Sequence, residues 1–373
     1  VSSGGVDAYG TTSQAYVYTG NGLTLNGTNS SFTQYTGTYG SKDLGWEKSY
    51  NWNVGLDYGI LNNRVDGSIE WFKTTTKGLL FKRTLPITSG LTGWGSPLSI
   101  WQNIAETSNQ GVEVTINSHN IKTKDFSWTT SLNLSHNKNK IVKLADLPEF
   151  IDGNYIRKEG CSYATIYLRE YAGVDPNDGR PMYYDNKEDE NGNRSRNIVY
   201  DPNDADRVEL KDIYPKLTGG LMNTFNYKFI DLSFNLSFHL GGYSYDGAMY
   251  ALQDDGYTAQ YNKSTELRRR WKQPGDITDV PRYVYGQEYG GWWNSSRGIH
   301  STDHLRLKSL IVGVSAPQSW LRTIGINSAR IYFSGTNLLT WAAYDQYDPE
   351  LNGIVSYFTP PLKTFAFGLE LKF

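Results

Sequence analysis

Residues 362–373 read Leu-Lys-Thr-Phe-Ala-Phe-Gly-Leu-Glu-Leu-Lys-Phe. Phe365, Phe367, Leu369, Leu371 and Phe373 alternate without a miss against Thr364, Ala366, Gly368, Glu370 and Lys372. A period of two puts the five large apolar side chains on one face of a β-strand and the small or charged groups on the other. Two architectures accept such a strand. In a soluble sandwich the apolar face meets a core. In a membrane-spanning barrel it meets lipid, and roughly ten residues suffice to cross. The choice rests on the other segments.

The same alternation recurs. Trp52, Val54, Leu56, Tyr58 and Ile60 form one set, Val112, Val114 and Ile116 a second, and Leu232, Phe234, Leu236, Phe238 and Leu240 a third. Less regular candidates lie near 12–20, 63–74, 126–138, 216–227, 303–315 and 329–341. That makes about ten strands of membrane-crossing length. One short helix is expected, over 263–272, and no run of about 18 apolar residues exists to form a transmembrane helix. Aromatic residues make up 14% of the chain and glycines number 38, which suits interfacial aromatic girdles and many turns.

The links alternate in length. Those at 61–63, 120–125 and 227–228 are tight and made of turn-forming residues. Those at 20–46, 75–107, 139–215, 242–302 and 342–362 are long. With Phe373 on the periplasmic side, every tight link falls inside and every long one outside, as in outer-membrane barrels. The link at 316–328 is of middle length and also lands inside. The count requires 139–215 to be one external excursion carrying a small hairpin near 163–169. A soluble sandwich has no reason to sort its loops this way.

Little in the chain points to catalysis. The five histidines lack metal-ligand spacing, and no nucleophile elbow or phosphate-cradling loop is present. No enzyme activity, cofactor or metal is therefore expected. The acidic stretch 185–193 has carboxylates that would suit Ca²⁺, but its spacing departs from the EF-hand and reads equally as a solvated turn. The net charge of −2 supplies no field for nucleic acid. Cys161 is the single cysteine, so no internal disulfide forms. No signal peptide follows Val1, so a mature chain or a piece of a longer one is expected.

The long links carry aromatics beside carboxylates and carboxamides. Aromatic faces stack on sugar rings while Asp, Asn and Gln take the hydroxyls, so Trp101, Tyr289, Trp292, Trp293, Asp345 and Asp348 are the candidate substrate-binding residues. The adjacent pair Trp292–Trp293 is foremost among them. The competing readings are loop packing, girdle positions or contact with a lid protein. Asp57, Glu113, Asp231, Asn235 and Glu370 are expected to face the lumen.

Further motifs run in order from about residue 40 to the end. They include Leu44-Gly-Trp-Glu-Lys48, Asn53-Val-Gly-Leu-Asp57, Asn109-Gln-Gly-Val-Glu113 and Gly173-Val-Asp-Pro-Asn-Asp-Gly179. Trp271-Lys-Gln-Pro-Gly-Asp276, Leu305-Arg-Leu-Lys308, 330–340 and Asp348-Pro-Glu350 complete the series. The chain resembles the SusC/RagA class of TonB-dependent outer-membrane transporters. The resemblance implies an all-β antiparallel transmembrane barrel of about twenty-two strands. Residues 1–373 would be its carboxy-terminal half, with the plug domain and TonB box absent. It implies outer-membrane localisation, TonB acting through the missing part, and a SusD-like surface lipoprotein as lid, often in two side-by-side pairs. It also implies oligosaccharide import, with oligopeptides as the other cargo. Without the resemblance, a surface β-rich glycan-binding module and a passive porin both stay open.

Overall fold

The computed structural model describes residues 44–373, apart from 86–91, 94–95, 98, 145–147, 259, 287–294, 322–324, 352 and 357–358, with short pieces at 24–25, 28–29, 38–39 and 41. Nine long strands form one antiparallel wall. They are β1 (Lys48–Ile60), β2 (Val65–Thr84), β3 (Ser99–Lys122), β4 (Phe126–Leu144), β5 (Leu217–Tyr227), β6 (Ile230–Leu240), β7 (His304–Ser315), β8 (Ser328–Ala342) and β9 (Thr364–Lys372). Each pairs with its neighbours in sequence, and Thr38–Tyr39 adds a short parallel bridge to β3. The expected strand near 12–20 lies outside the described residues.

Register turns the alternation of single strands into two continuous surfaces. Ile121, Trp128, Phe225, Leu232, Val312, Phe333 and Phe367 sit opposite one another across seven strands. Three positions along, or four on β3 where the register shifts, Asn117, Ser131, Met222, Asn235, Ser309, Thr336 and Thr364 do the same on the other face. A slip of one residue anywhere would exchange the faces, so the pattern fixes the register. The apolar face is uncovered: Phe365 is 62% exposed, Phe367 81% and Leu369 62%. A continuous apolar surface across nine strands is far larger than water tolerates on a soluble protein. No second sheet lies on it among the described residues, which excludes the sandwich. Hydrocarbon is its solvent.

Aromatic residues bound this face. Trp341 and Trp52 are exposed towards one end, and Tyr227, Phe229, Trp320 and Phe373 towards the other. From Ala329, opposite Leu371, to Trp341 is about 40 Å along the strand at ~3.3 Å per residue, or roughly 28 Å at a 45° tilt. That matches a hydrocarbon core.

On the polar face, Arg330 forms a two-pronged bridge to Asp231 at 3.0 and 2.7 Å, and reaches Glu370 at 3.3 Å. The bridge passes over β7 at Gly313, where a Cβ would collide with both partners. Glu113 accepts from the Ser135 hydroxyl at 3.3 Å. Three of the charges assigned to the lumen, Glu113, Asp231 and Glu370, are thus tied to the wall.

One end of the wall is closed by tight turns. Leu61, Asn62 and Asn63 all take positive φ, a conformation asparagine tolerates better than most residues, and Lys228 does so between β5 and β6. The other end differs from expectation in three ways. First, the anticipated loop 75–107 is mostly strand: β2 and β3 run 20 and 24 residues and project past the membrane as a paired hairpin. From Thr74 and Asn109 outward polar residues stand on both faces and are followed by Phe81, Ile104 and Ala105, which are buried, so the alternation fades while the ladder continues. Secondly, the excursion after β4 holds two small sheets, not one hairpin. Four strands, Glu149–Asp152, Tyr155–Lys158, Thr165–Arg169 and Arg207–Asp212, form the first, and Tyr171–Val174, Pro181–Tyr184 and Ile198–Val199 the second. Thirdly, the helix expected over 263–272 is a 3₁₀ turn, Thr265–Arg269, capped by Ser264.

The dry core lies in the outer ends of β2–β4 and in these loops. Phe81, Ile104, Ala105, Ile141 and Leu144 form one buried cluster, and Ile166, Leu168 and Tyr245 another. The lipid-facing wall has no such core. Replacing Phe367 by Lys should destabilise the inserted barrel by about 2–4 kcal/mol, the cost of a cation near the bilayer midplane. Ala366→Lys, one position along on the other face, should cost much less. Denaturant titration in lipid vesicles reads the difference; equal losses would mean that lipid does not wet the Phe367 face.

Candidate substrate-binding site

Two long loops, 241–303 and 343–363, meet above the polar face. They are joined by a three-stranded sheet in which Tyr243–Asp246 pairs antiparallel with Ile299–Ser301 and parallel with Gly353–Val355. This sheet brings residues about a hundred positions apart into one cluster. His300 lies flat on Tyr344, with ring centroids 3.6 Å apart and planes at 4°. Tyr344 packs edge-on against Tyr347 and donates to Asp246 at 3.1 Å. Tyr347 is hydrogen-bonded to Ser244. Asp246 also caps the turn that follows, accepting from the amides of Ala248 and Met249.

Buried ion pairs fix the surroundings. Arg306 and Asp348 meet at 2.6 Å with side chains only 4% and 5% exposed. Glu350 links Arg306 and Lys308. Lys263 reaches the fully buried Asp254 at 2.6 Å. Arg297, 5% exposed, faces Asp255 at 3.5 Å. Removing one member of such a pair leaves a charge uncompensated in a dry site, so these pairs hold geometry more than they add stability.

The cluster walls two clefts. One, of about 400 Å³, is lined by Gln253, Arg269, Arg297, His300 and Tyr344. The other, of about 330 Å³, is lined by Asn337, Thr340, Tyr347, Pro360 and Lys363. Asp345 and Gln346 border both and form the ridge between them. Burial, with Arg297 adding to it, pushes the His300 imidazole down to about 4, so it is neutral at pH 7. Burial also holds the Asp246 carboxyl above its usual value and pushes the Tyr347 phenol up to about 12. The result is a polar, aromatic-walled surface, with the carboxylates of Glu266, Asp279 and Asp345 also at the first cleft.

Of the residues singled out from sequence, Asp345 is exposed on the ridge. Asp348, three positions on, is buried with its carboxylate taken up by Arg306 and the Glu350 amide. Trp101 sits on β3 opposite Lys82, not in a loop, and is among the lining residues of neither cleft. Tyr289, Trp292 and Trp293 lie outside the described residues. Sequence reasoning missed Arg297 and His300, whose surroundings depend on pairing between distant loops. The acidic stretch 185–193 uses its carboxylates locally: Asp189 accepts from the amides of Asn191 and Asn193, and Asp185 from Ser195 and Asn197.

Comparison with known proteins agrees with this architecture. Residues 3–156 match the family described as TonB dependent receptor-like, beta-barrel. The chain is 32% identical to TonB-dependent receptor P3 of Formosa agariphila, over 90% of this chain and 35% of the relative. It is 29% identical to TonB-dependent receptor SusC of Bacteroides thetaiotaomicron, over 89% of this chain and 32% of that protein. Among solved structures, that of the RagAB peptide transporter superposes with a TM-score of 0.77 at 27% identity, covering 96% of this chain and 38% of that one. The chain thus spans about a third of the length of the curated relatives it matches.

The His300 shift has a pH consequence of definite sign. Its value falls from 6.5 to about 4 in the folded loop, so the unfolded loop binds the proton first. Packing around His300 and Tyr344 should be fully stable above pH 6.5, weaken as pH falls towards 4, and weaken no further from this group below that. Hydrogen exchange of the amides at 299–301 and 344–347 measures it. His300→Phe, which keeps a ring on Tyr344, should remove this loss at low pH and leave the opposite dependence from Asp246, whose raised carboxyl is protonated more readily in the folded loop.

Proposed function

The chain belongs to the TonB-dependent receptor family of outer-membrane β-barrels, in its SusC/RagA branch, and on that footing we propose that it forms part of an energised importer of oligosaccharides. The observation carrying this reading is the asymmetry of the wall. One end is closed by short links, three of them turns of a few residues, while the other builds a folded, cleft-bearing surface directly above the polar face. A protein that only sealed or anchored would not need the second.

In this reading residues 1–373 are the carboxy-terminal half of a larger barrel. The outer edges of β1 and β9 have no ladder partner among the described residues. Unpaired edges are not tolerated in hydrocarbon, so further strands of the same protein complete the ring. A plug in the lumen is displaced through TonB. A SusD-like surface lipoprotein closes the outer mouth, and two such pairs assemble side by side. The protein performs no bond chemistry, in keeping with its family of transporters. Cargo touches the exposed Asp345 and the aromatic groups Trp292, Trp293 and Tyr289. Asp348 serves by holding the loop through Arg306, and Trp101 stands further back, on the β2–β3 hairpin.

Oligopeptide cargo is the second reading, favoured by the likeness of this chain to the RagAB peptide transporter along nearly its whole length. Cells carrying the full-length protein should take up labelled oligosaccharides only while TonB is intact. Trp292→Ala with Trp293→Ala should lower that uptake several-fold while the barrel keeps its heat-modifiable gel mobility. Uptake of peptides alone would exclude the oligosaccharide cargo; unchanged uptake by the double variant would remove both tryptophans from the path.

A further inference from the structure

We propose that the cleft between Arg297 and Asp345 is a subsite for an uncharged sugar unit, which takes hydrogen bonds from Arg297 and His300 and lies against the His300–Tyr344 stack. The inference deepens the oligosaccharide reading and rests on it. Three observations carry it.

The first is unmet hydrogen-bonding capacity. Arg297 spends Nη1 on the Gln253 carbonyl and Asp255, but its Nη2 has no partner among the described residues. The same holds for Nε2 of His300. Both residues line one cleft, and the Arg297 side chain is 5% exposed. Buried polar atoms are nearly always satisfied, by protein, water or ligand. Two such atoms, three positions apart and at one cleft, mark a place where a ligand's oxygen atoms complete the set.

The second is charge. Arg269 is already paired with Glu266 at 2.6 Å and Asp279 at 3.5 Å, and Arg297 with Asp255 at 3.5 Å. Asp345 adds a further carboxylate at the rim. Carboxylates therefore outnumber guanidinium groups, and His300 is neutral at pH 7. An incoming carboxylate or sulfate would meet net negative potential. A hydroxylated, uncharged ring would not, and it could donate to Asp345 while accepting from Arg297.

The third is shape. The parallel His300–Tyr344 stack gives one wall a flat outer ring face, suited to the apolar face of a pyranose ring. Across the Asp345–Gln346 ridge lies the second cleft, bordered by Pro360, Pro361 and Thr340, with room for a neighbouring unit. A linear chain crossing the ridge fits both.

The test uses the purified full-length transporter on an array of neutral oligosaccharides, matched uronic-acid and sulfated oligosaccharides, and a peptide pool. The strongest binders should be uncharged sugars. His300→Phe and Arg297→Lys should each weaken them about tenfold, the loss of one hydrogen bond. His300→Phe keeps the stack and Arg297→Lys keeps the charge facing Asp255, so both variants should retain heat-modifiable mobility. Should Arg297→Lys fail to fold, His300→Phe decides alone. Neutral sugars bound equally by the variants would overturn the subsite and leave the importer reading standing. Acidic sugars as the strongest binders would also overturn it. Binding of peptides only, or of nothing on the array, would overturn the oligosaccharide reading and the subsite together.

Discussion

Hydrocarbon offers no hydrogen bonds to a peptide group, and the rest of this structure follows from that fact. Every amide between β1 and β9 within the bilayer must find its partner on the next strand. The ladder therefore runs unbroken from Lys48 to Lys372 apart from a few register shifts, the β6–β7 shift lying near Asn235 and the β7–β8 shift near Ser309. Once backbone pairing is obligatory, the side chains are left to sort by solvent alone. That is why a row of seven apolar residues crosses seven strands with a row of mostly polar ones beside it.

The same rule inverts the usual placement of the core. Inside the membrane the wall exposes its apolar side chains and buries few. Above the membrane, in water, the loops must build a dry interior of their own to stay ordered. They do so with Phe81, Ile141 and Leu144 under one sheet and Ile166, Leu168 and Tyr245 under another. The loops are thus folded bodies, and the groups they present have fixed positions. Buried ion pairs such as Lys263–Asp254 and Arg306–Asp348 supply specificity of arrangement where apolar packing is thin.

What the sequence disclosed follows the same division between solvents. Nine wall strands could be located, six of them to within a few residues, because lipid on one face and water on the other impose a period of two. The outer parts of β2 and β3 could not, because polar residues such as Thr74, Thr76, Lys77 and Asn109 take both faces mid-strand and Phe81, Ile104 and Ala105 then enter the loop core, so the period vanishes while the pairing persists. The small sheets were reduced to a single hairpin for a related reason: strands of four or five residues, such as Thr165–Arg169, are too short to show a pattern. The surroundings of Arg297 and His300 were illegible on other grounds. They depend on pairing between Ile299–Ser301 and Tyr243–Asp246, a contact set by topology and not by any local signal.

The stretch Tyr344-Asp345-Gln346-Tyr347-Asp348 shows how one composition divides into two roles. As sequence, the two aspartates are equivalent: each stands beside a tyrosine in an external loop. In the fold, Tyr344, Tyr347 and Asp348 turn inward to Asp246, Ser244 and Arg306, and their polar atoms are used up. Asp345 and Gln346 are left facing outward, on a ridge pinned at both ends. A ligand meeting that ridge does not have to order it, so less of the binding free energy is lost to conformational entropy. An aromatic–acidic motif of this kind therefore serves recognition through two sets of residues, Tyr344, Tyr347 and Asp348 anchoring and Asp345 and Gln346 presenting, and only the long-range partners say which is which.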